Sequence, residues 1–184
     1  MTVNLGAPST GQAPNQAPGQ AFWDFSLHVY AQPDVQEECL GLQERLELDV
    51  NLLLFAAYAG ARLGIALSAH DLAELIAATE EWHVAVVRRL RATRTAMKKW
   101  SENKSDPLAA SAATLRLAVK KAELDAERIE HDRLARWAQE RIGDTTGACG
   151  QAIENNLRLL LDHYARTSGN VAELPARLIA AALG

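Results

Sequence analysis

Aromatic residues and cysteine are both scarce in this 184-residue chain. Phenylalanine, tyrosine and tryptophan make up only 5% of it, so leucine and alanine must fill most of a core. The two cysteines, Cys39 and Cys149, lie far apart and have no metal-binding spacing. Two such thiols are typical of buried residues in a reducing compartment. The sequence therefore predicts no cysteine-based metal site, and we expect both thiols to be reduced.

A long hydrophobic run and a targeting segment are missing as well. The longest apolar run covers residues 50–61, well short of the roughly 20 residues that a membrane-spanning helix needs. The N-terminus lacks the basic start and the apolar core of a signal peptide. A net charge of −4 favours neither nucleic acid nor an anionic membrane as a partner. We therefore expect a cytoplasmic protein without a membrane segment.

Charge is missing altogether from the first twenty residues, which are rich in glycine, proline, glutamine and alanine. Such a segment cannot bury enough apolar surface to offset the entropy of ordering it. We therefore predict a disordered low-complexity tail over residues 1–20 and a single helical domain over residues 21–184.

The stretch from Asp49 to Gly60 is apolar on every side of a helix, apart from Asn51. A helix of this kind must be buried by other helices, which predicts an all-α fold with a central buried helix. Asp49 and Asn51 are interpreted as structural polar residues: Asp49 caps the helix or pairs with Arg45, and Asn51 bonds a neighbouring backbone. A ligand contact is the alternative. Gly60 and Gly64 are predicted to end this helix.

Two long amphipathic segments follow and predict an antiparallel helical hairpin. The first begins after Ser68, which resembles a capping box with Asp71, and carries apolar residues at alternating spacings of four and three up to Trp100. The second begins near Asp106 and continues to about Ile142. A loop over residues 143–150 and two shorter helices complete a compact bundle of five to seven helices.

Several segments resemble a bacterial family of conserved hypothetical proteins, a domain of unknown function. They are Phe-Trp-Asp-Phe-Ser at residues 22–26, Tyr-Ala-Gln-Pro at 30–33 and Asp-Val-Asn-Leu-Leu-Leu-Phe at 49–55. Trp82 and the segments 90–94 and 123–128 are similar to later parts of that family. The resemblance extends from about Phe22 to Tyr164. It implies a bacterial cytoplasmic protein and brings no established activity, cofactor or catalytic residue.

One pair of residues has the spacing of a metal site. Glu80 and His83 form a single Glu-x-x-His, whereas carboxylate-bridged di-iron bundles use this pair twice. A hydrogen-bonded histidine at a helix interface is the simpler interpretation, so we predict no cofactor and no catalytic residue. The alternative is a helical-bundle enzyme that uses metal or acid–base chemistry near Glu80, His83 and Glu127.

A basic segment is the most promising functional feature. Seven positive charges at residues 88–104 face one negative charge, and the predicted partner-binding residues are Arg88, Arg91, Arg94, Lys98 and Lys99. Their charges are either paired internally with Glu123, Glu127 and Glu130 or offered to an acidic protein. Nucleic acid is the less favoured partner, because only Trp100 is available for base stacking.

We therefore expect a non-enzymatic adaptor or regulator that binds an unidentified protein through a helical surface. In this hypothesis the arginines nearest the hairpin seam pair internally, while Arg88, Lys98 and Lys99 face the partner. A regulator that binds nucleic acid through residues 88–104 is an alternative, and a homo-oligomer is possible.

Overall fold

The computed structural model describes residues 19–141 and 149–184. The predicted tail lies outside these ranges except for its last two residues, and Gln20 already belongs to the first helix. Most of the predicted loop at 143–150 also lies outside them. Cys149, at its end, begins a helix.

The described residues form nine α-helices and one π-helical turn, with no strand among them, which confirms the all-α prediction. The elements are α1 (Gln20–Tyr30), α2 (Val35–Leu46), α3 (Val50–Leu63), α4 (Ala69–Trp82), the π-turn (His83–Val87), α5 (Arg88–Ala96), α6 (Lys98–Ser101), α7 (Ala109–Gln139), α8 (Cys149–Ser168) and α9 (Ala176–Leu183). The segments from α4 to α6 follow one another without a loop. Within the described ranges, no helix is long and apolar enough to cross a membrane.

Helix α3 lies at the centre of the bundle, as the sequence predicts. Every residue from Val50 to Gly60 is buried, and α1, α2, α7, α8 and α9 all pack against it. Aromatic side chains gather on one side, where Phe55 contacts Phe22 and Trp137 edge-on at centroid distances of 5.3 and 6.1 Å. This geometry suits the quadrupoles of the rings and fixes α1 and α7 against α3.

Gly60 does not end α3, so that prediction is wrong. The helix continues to Leu63 and ends at Gly64, which adopts a left-handed conformation with φ of 65°. Gly60 instead lies where α8 crosses α3: a Cβ atom built on it would lie 2.6 Å from the backbone nitrogen of Ile153. A small residue is needed here because backbone, rather than a flexible side chain, occupies the space.

Replacing Gly60 by alanine is expected to lower the free energy of unfolding by about 1–3 kcal/mol, because α8 must move away from α3. Chemical denaturation measures the change. Gly41→Ala is the matched control, since Gly41 lies inside α2 with open space around its Cβ position. That control should gain about 0.5–1 kcal/mol from helix propensity. Equal effects at both positions would show that α3 and α8 are not in close contact.

The predicted hairpin is formed by the rod from α4 to α6 packed against α7. At its base, the Trp82 indole N–H donates to the Ala126 carbonyl at 3.0 Å, and Trp137 donates to Glu74 at the same distance. Beyond the base, none of residues 88–122 is buried. We call residues 88–122 the basic arm. It consists of two helical segments that project from the bundle, and none of its side chains is fully buried.

Candidate functional site

Five polar residues meet in the interior, where α3, the π-turn and α7 come together. We call them the buried polar cluster: Asp49, Asn51, His83, Glu130 and His131. Glu130 is 0% exposed, His131 2% and Asp49 5%, so water cannot satisfy most of their polar atoms. Buried polar atoms in stable proteins are usually hydrogen-bonded. Most partners here are other members of the cluster, but Asp49 Oδ2 and His131 Nδ1 have no hydrogen-bond partner among the described residues.

Asn51 lies in the middle of the cluster and joins α3 to α7. Its side-chain N–H donates to Glu130 Oε2 at 2.5 Å, and its Oδ1 lies 3.1 Å from His131 Nε2. Because a carbonyl oxygen only accepts, His131 carries its proton on Nε2. The sequence prediction gave Asn51 a backbone partner, whereas the structure gives it two side chains.

Asp49 reaches the same cluster because it precedes the helix. Its backbone is extended, with φ of −83° and ψ of 118°, and its Oδ1 accepts from the Asn51 backbone N–H at 2.8 Å. On a continuous helix Asp49 and Asn51 would point about 200° apart. The extended conformation of the cap turns both side chains toward α7.

His83 lies between two carboxylates. Its Nδ1 is 3.2 Å from Glu130 Oε1 and 3.4 Å from Asp49 Oδ2. His83 is the first residue of the π-turn, which interrupts a helix that the sequence predicts to be regular. Such single π-turns occur frequently at functional sites. The apolar spacing of the segment carries no sign of the turn, so sequence reasoning missed it.

Burial and charge shift the pKa values in this cluster. Burial, together with the charge of Glu130, raises the pKa of Asp49 to about 7. Burial alone would lower the pKa of His83, but the bond to Glu130 and the charge of Asp49 raise it overall. Burial lowers the pKa of His131 to about 3, so this imidazole is neutral, and it stacks on Phe22 at 4.1 Å.

The three residues of the enzyme alternative do not converge on one site. Glu80 is exposed and lines a small cavity of about 70 Å³ together with His83. Glu127 lies on another side of the cluster, in a pocket of about 490 Å³ that also reaches Asn51 and His131. The carboxylates that contact His83 are Asp49 and Glu130, which are far from it in the sequence.

Two of the predicted partner-binding arginines lie at the seam of the hairpin. Arg91 binds Glu123 at 3.1 Å, Glu127 at 2.7 Å and Gln43 at 2.9 Å. Arg94 also pairs with Glu123, and its Nη2 donates to Glu123 Oε1 at 3.2 Å. The geometry favours internal pairing for these two arginines, and Glu130 takes no part because it belongs to the buried polar cluster.

Reversing the seam charges tests this pairing. Arg91→Glu with Arg94→Glu should lower the free energy of unfolding by about 1–2 kcal/mol, a modest loss because both arginines are partly exposed. Adding Glu123→Lys and Glu127→Lys should restore part of it, with a coupling energy of at least about 0.5 kcal/mol. Urea denaturation of the original chain, the two double variants and the quadruple variant measures this cycle. Strictly additive losses would show that the seam ion pairs contribute nothing.

The seam also makes stability depend on pH. Burial raises the pKa of Glu123, but hydrogen bonds from Arg94 and Arg91 outweigh it and hold the pKa below its ordinary value. The folded state therefore releases the Glu123 proton more readily than the unfolded state does. The resulting stabilisation is fully present above the pKa of the unfolded state and is lost as the pH falls through the lower pKa of the folded state. Glu123→Gln should therefore reduce the loss of stability in acid. If the unfolding free energy of the Glu123→Gln variant fell with the same slope as that of the original chain below about pH 4.5, the result would contradict this.

The other three predicted partner-binding residues face solvent. Among the described residues, no carboxylate lies within 4.0 Å of Arg88, Lys98 or Lys99, and the Lys99 ammonium lies 4.1 Å above the Trp100 ring. Large apolar side chains are exposed on the same arm, at Trp100, Leu108, Leu115 and Leu117. The arm has no third helix to bury these side chains.

Comparison with known proteins gives one match. Residues 21–134 match the model of a protein family of unknown function, DUF2390. The chain belongs to this family. Neither a curated protein nor a solved structure matches it. The resemblance to a family of unknown function is thus confirmed over residues 21–134, short of the predicted end near Tyr164, and the family carries no established activity.

The DUF2390 segment contains both features described above. It includes all five residues of the buried polar cluster and the whole of the basic arm, and it ends at Leu134 within α7. Helices α8 and α9, which also pack against α3, lie beyond it.

Proposed function

We propose that this DUF2390 protein is a non-enzymatic adaptor or regulator whose basic arm binds an acidic surface of another protein. The observation that supports this proposal most strongly is the charge of the arm. Residues 88–122 hold ten basic residues against two acidic ones, whereas the rest of the chain holds nine against 21. So uneven a distribution creates a long-range field that steers an acidic partner to the arm.

The exposed apolar side chains support a protein as the partner. Leu108, Leu115 and Leu117 are each more than half exposed and lie among lysines and arginines. An apolar centre with a charged rim is the usual composition of a protein interface. Phosphates would use the basic residues alone, and Trp100 is the one aromatic residue on the arm for base stacking. The arm therefore suits an acidic protein surface better than nucleic acid.

The location we propose is the cytoplasm. Cys39 is a buried free thiol, and burial together with the charge of Glu38 raises the pKa of its thiol to about 12. A thiol that stays protonated and buried is inert and suits a reducing compartment.

Site-specific photo-crosslinking in the native cell tests the proposal. A photoreactive residue at Leu117 should capture a protein through a segment rich in aspartate and glutamate, and Lys98→Glu with Lys99→Glu should abolish the capture. Val171, which is 89% exposed but lies outside the arm, is the control position. Capture of nucleic acid, capture of a second copy of this chain, or equal capture at Val171 would each contradict the proposal.

A further inference from the structure

Three side chains of the buried polar cluster present ligand atoms to a common point. Asp49 precedes α3, His83 begins the π-turn and Glu130 lies in α7, yet one donor atom from each lies within 4.8 Å of the other two. The donors are two carboxylate oxygens and one imidazole nitrogen. Divalent first-row transition metals accept this combination of ligands in proteins.

The separations fit a shared ion. At metal–ligand bonds of about 2.1 Å, neighbouring ligand atoms lie roughly 3.0 Å apart in an octahedron and roughly 3.4 Å apart in a tetrahedron. His83 Nδ1 lies 3.2 Å from the nearer oxygen of Glu130 and 3.4 Å from that of Asp49. Both separations from the imidazole are thus ligand distances, and the Asp49 and Glu130 oxygens lie within 4.8 Å of each other.

A second observation points to a ligand at this place. Asp49 Oδ2 is fully buried and has no hydrogen-bond partner among the described residues, although it faces the His83 ring. An unsatisfied buried carboxylate oxygen is costly. A divalent cation bound between the two carboxylates and the imidazole would satisfy this oxygen.

We infer that Asp49, His83 and Glu130 bind one divalent first-row transition-metal ion. The ion ties the start of α3 and the π-turn to α7. The adjoining cavity of about 70 Å³ has room for a metal-bound water, but it is far smaller than the pockets that bind organic ligands. The ion therefore has a structural role, and this inference is independent of the proposal for the basic arm.

Isothermal titration of the full chain, stripped with a chelator and carrying no histidine tag, tests the inference with Zn²⁺ and Mn²⁺. One ion per chain should bind saturably, and Zn²⁺ more tightly than Mn²⁺. The melting temperature should rise with the concentration of free metal. If neither Zn²⁺ nor Mn²⁺ bound saturably up to about 1 mM, the inference would be overturned. A buried site with three protein ligands should have a dissociation constant well below that concentration.

Conservative variants locate the site. Asp49→Asn keeps the helix cap and Glu130→Gln keeps an oxygen for Asn51, so both should fold. Each should weaken binding by more than about 100-fold, because losing even a supporting second-shell group costs 10–100-fold. Glu127→Gln, one turn before Glu130 on α7, is the matched control and should bind within about threefold of the original chain. Unchanged binding in both cluster variants, or an equal loss in the control, would contradict the assignment.

X-ray absorption of the zinc-loaded original chain answers the question without a variant. The expected spectrum has one imidazole nitrogen and otherwise oxygen ligands. A sulfur ligand or several imidazoles would place the ion elsewhere and overturn the inference.

Discussion

Replacing Asn51 by leucine is expected to lower the free energy of unfolding by about 2–6 kcal/mol. The change removes one partner from Glu130 and one from His131, and each stranded buried group costs about 1–3 kcal/mol. The Glu130 carboxylate, 0% exposed, has no access to solvent that would compensate. Differential scanning calorimetry should show a loss of about 2–4 °C in melting temperature for each kcal/mol.

Asn155→Leu is the matched control for Asn51. Asn155 is exposed on α8 and, among the described residues, its side chain bonds only Gln151 on the same helix. The same chemical change there should stay within about 0.5 kcal/mol. A melting temperature of the Asn51 variant equal to that of the control would contradict the central position of this amide.

Replacing Phe55 by alanine is expected to cost about 3–5 kcal/mol. Phe55 is 0% exposed in the middle of α3 and contacts Phe22, Tyr58 and Trp137. The change leaves a cavity among side chains from three helices and removes the ring contacts that hold them. Urea denaturation measures the loss at constant slope.

Leu117→Ala is the control for this deletion, because Leu117 lies on the basic arm with 66% of its surface exposed. It should cost no more than about 0.5 kcal/mol. A loss below about 1 kcal/mol for Phe55→Ala would show that the core collapses around the missing ring and that α3 is not the element on which the bundle depends.

The elements of the fold are predictable from the sequence where one local rule decides them. The unbroken apolar face of residues 50–60 places α3 in the centre. Ser68 and Asp71 form the capping box that their spacing predicts, with 2.8 Å between the Ser68 backbone N–H and the Asp71 carboxylate. The 4-3-4 spacing of one helix face decides α2 in the same way, and its residues Val35, Cys39, Leu42 and Leu46 are all buried.

Features that depend on contacts between distant segments escape the sequence. Gly60 has the pattern of a helix end, and only the crossing of α8 shows that it is a packing position. Asn156 lies within an apolar stripe, yet its side chain bonds the carbonyls of Ala56 and Ile65 and receives the Leu67 N–H. No local rule assigns these partners, which lie 89 to 100 residues away.

The candidate site was predictable only in part, because its residues come from distant segments. The Glu-x-x-His spacing of His83 is visible in the sequence, and Asp49 and Asn51 are conspicuous as polar residues next to an apolar run. Glu130 is one carboxylate among several on α7, and the sequence does not distinguish it from Glu123 or Glu127. In the structure Glu130 lies in the buried polar cluster, whereas Glu123 and Glu127 pair with Arg91 at the seam.

The most direct test of the central claim compares two charge reversals in binding to the protein captured by crosslinking. Lys98→Glu with Lys99→Glu changes the basic arm, and Arg158→Glu with Arg166→Glu makes the same change in net charge on exposed positions of α8. In salt-titrated calorimetry, the arm variant should lose at least about tenfold in affinity, and binding of the original chain should weaken as salt rises. The α8 variant should stay within about twofold. Equal losses in the two variants, or an affinity that does not change with salt, would contradict the account.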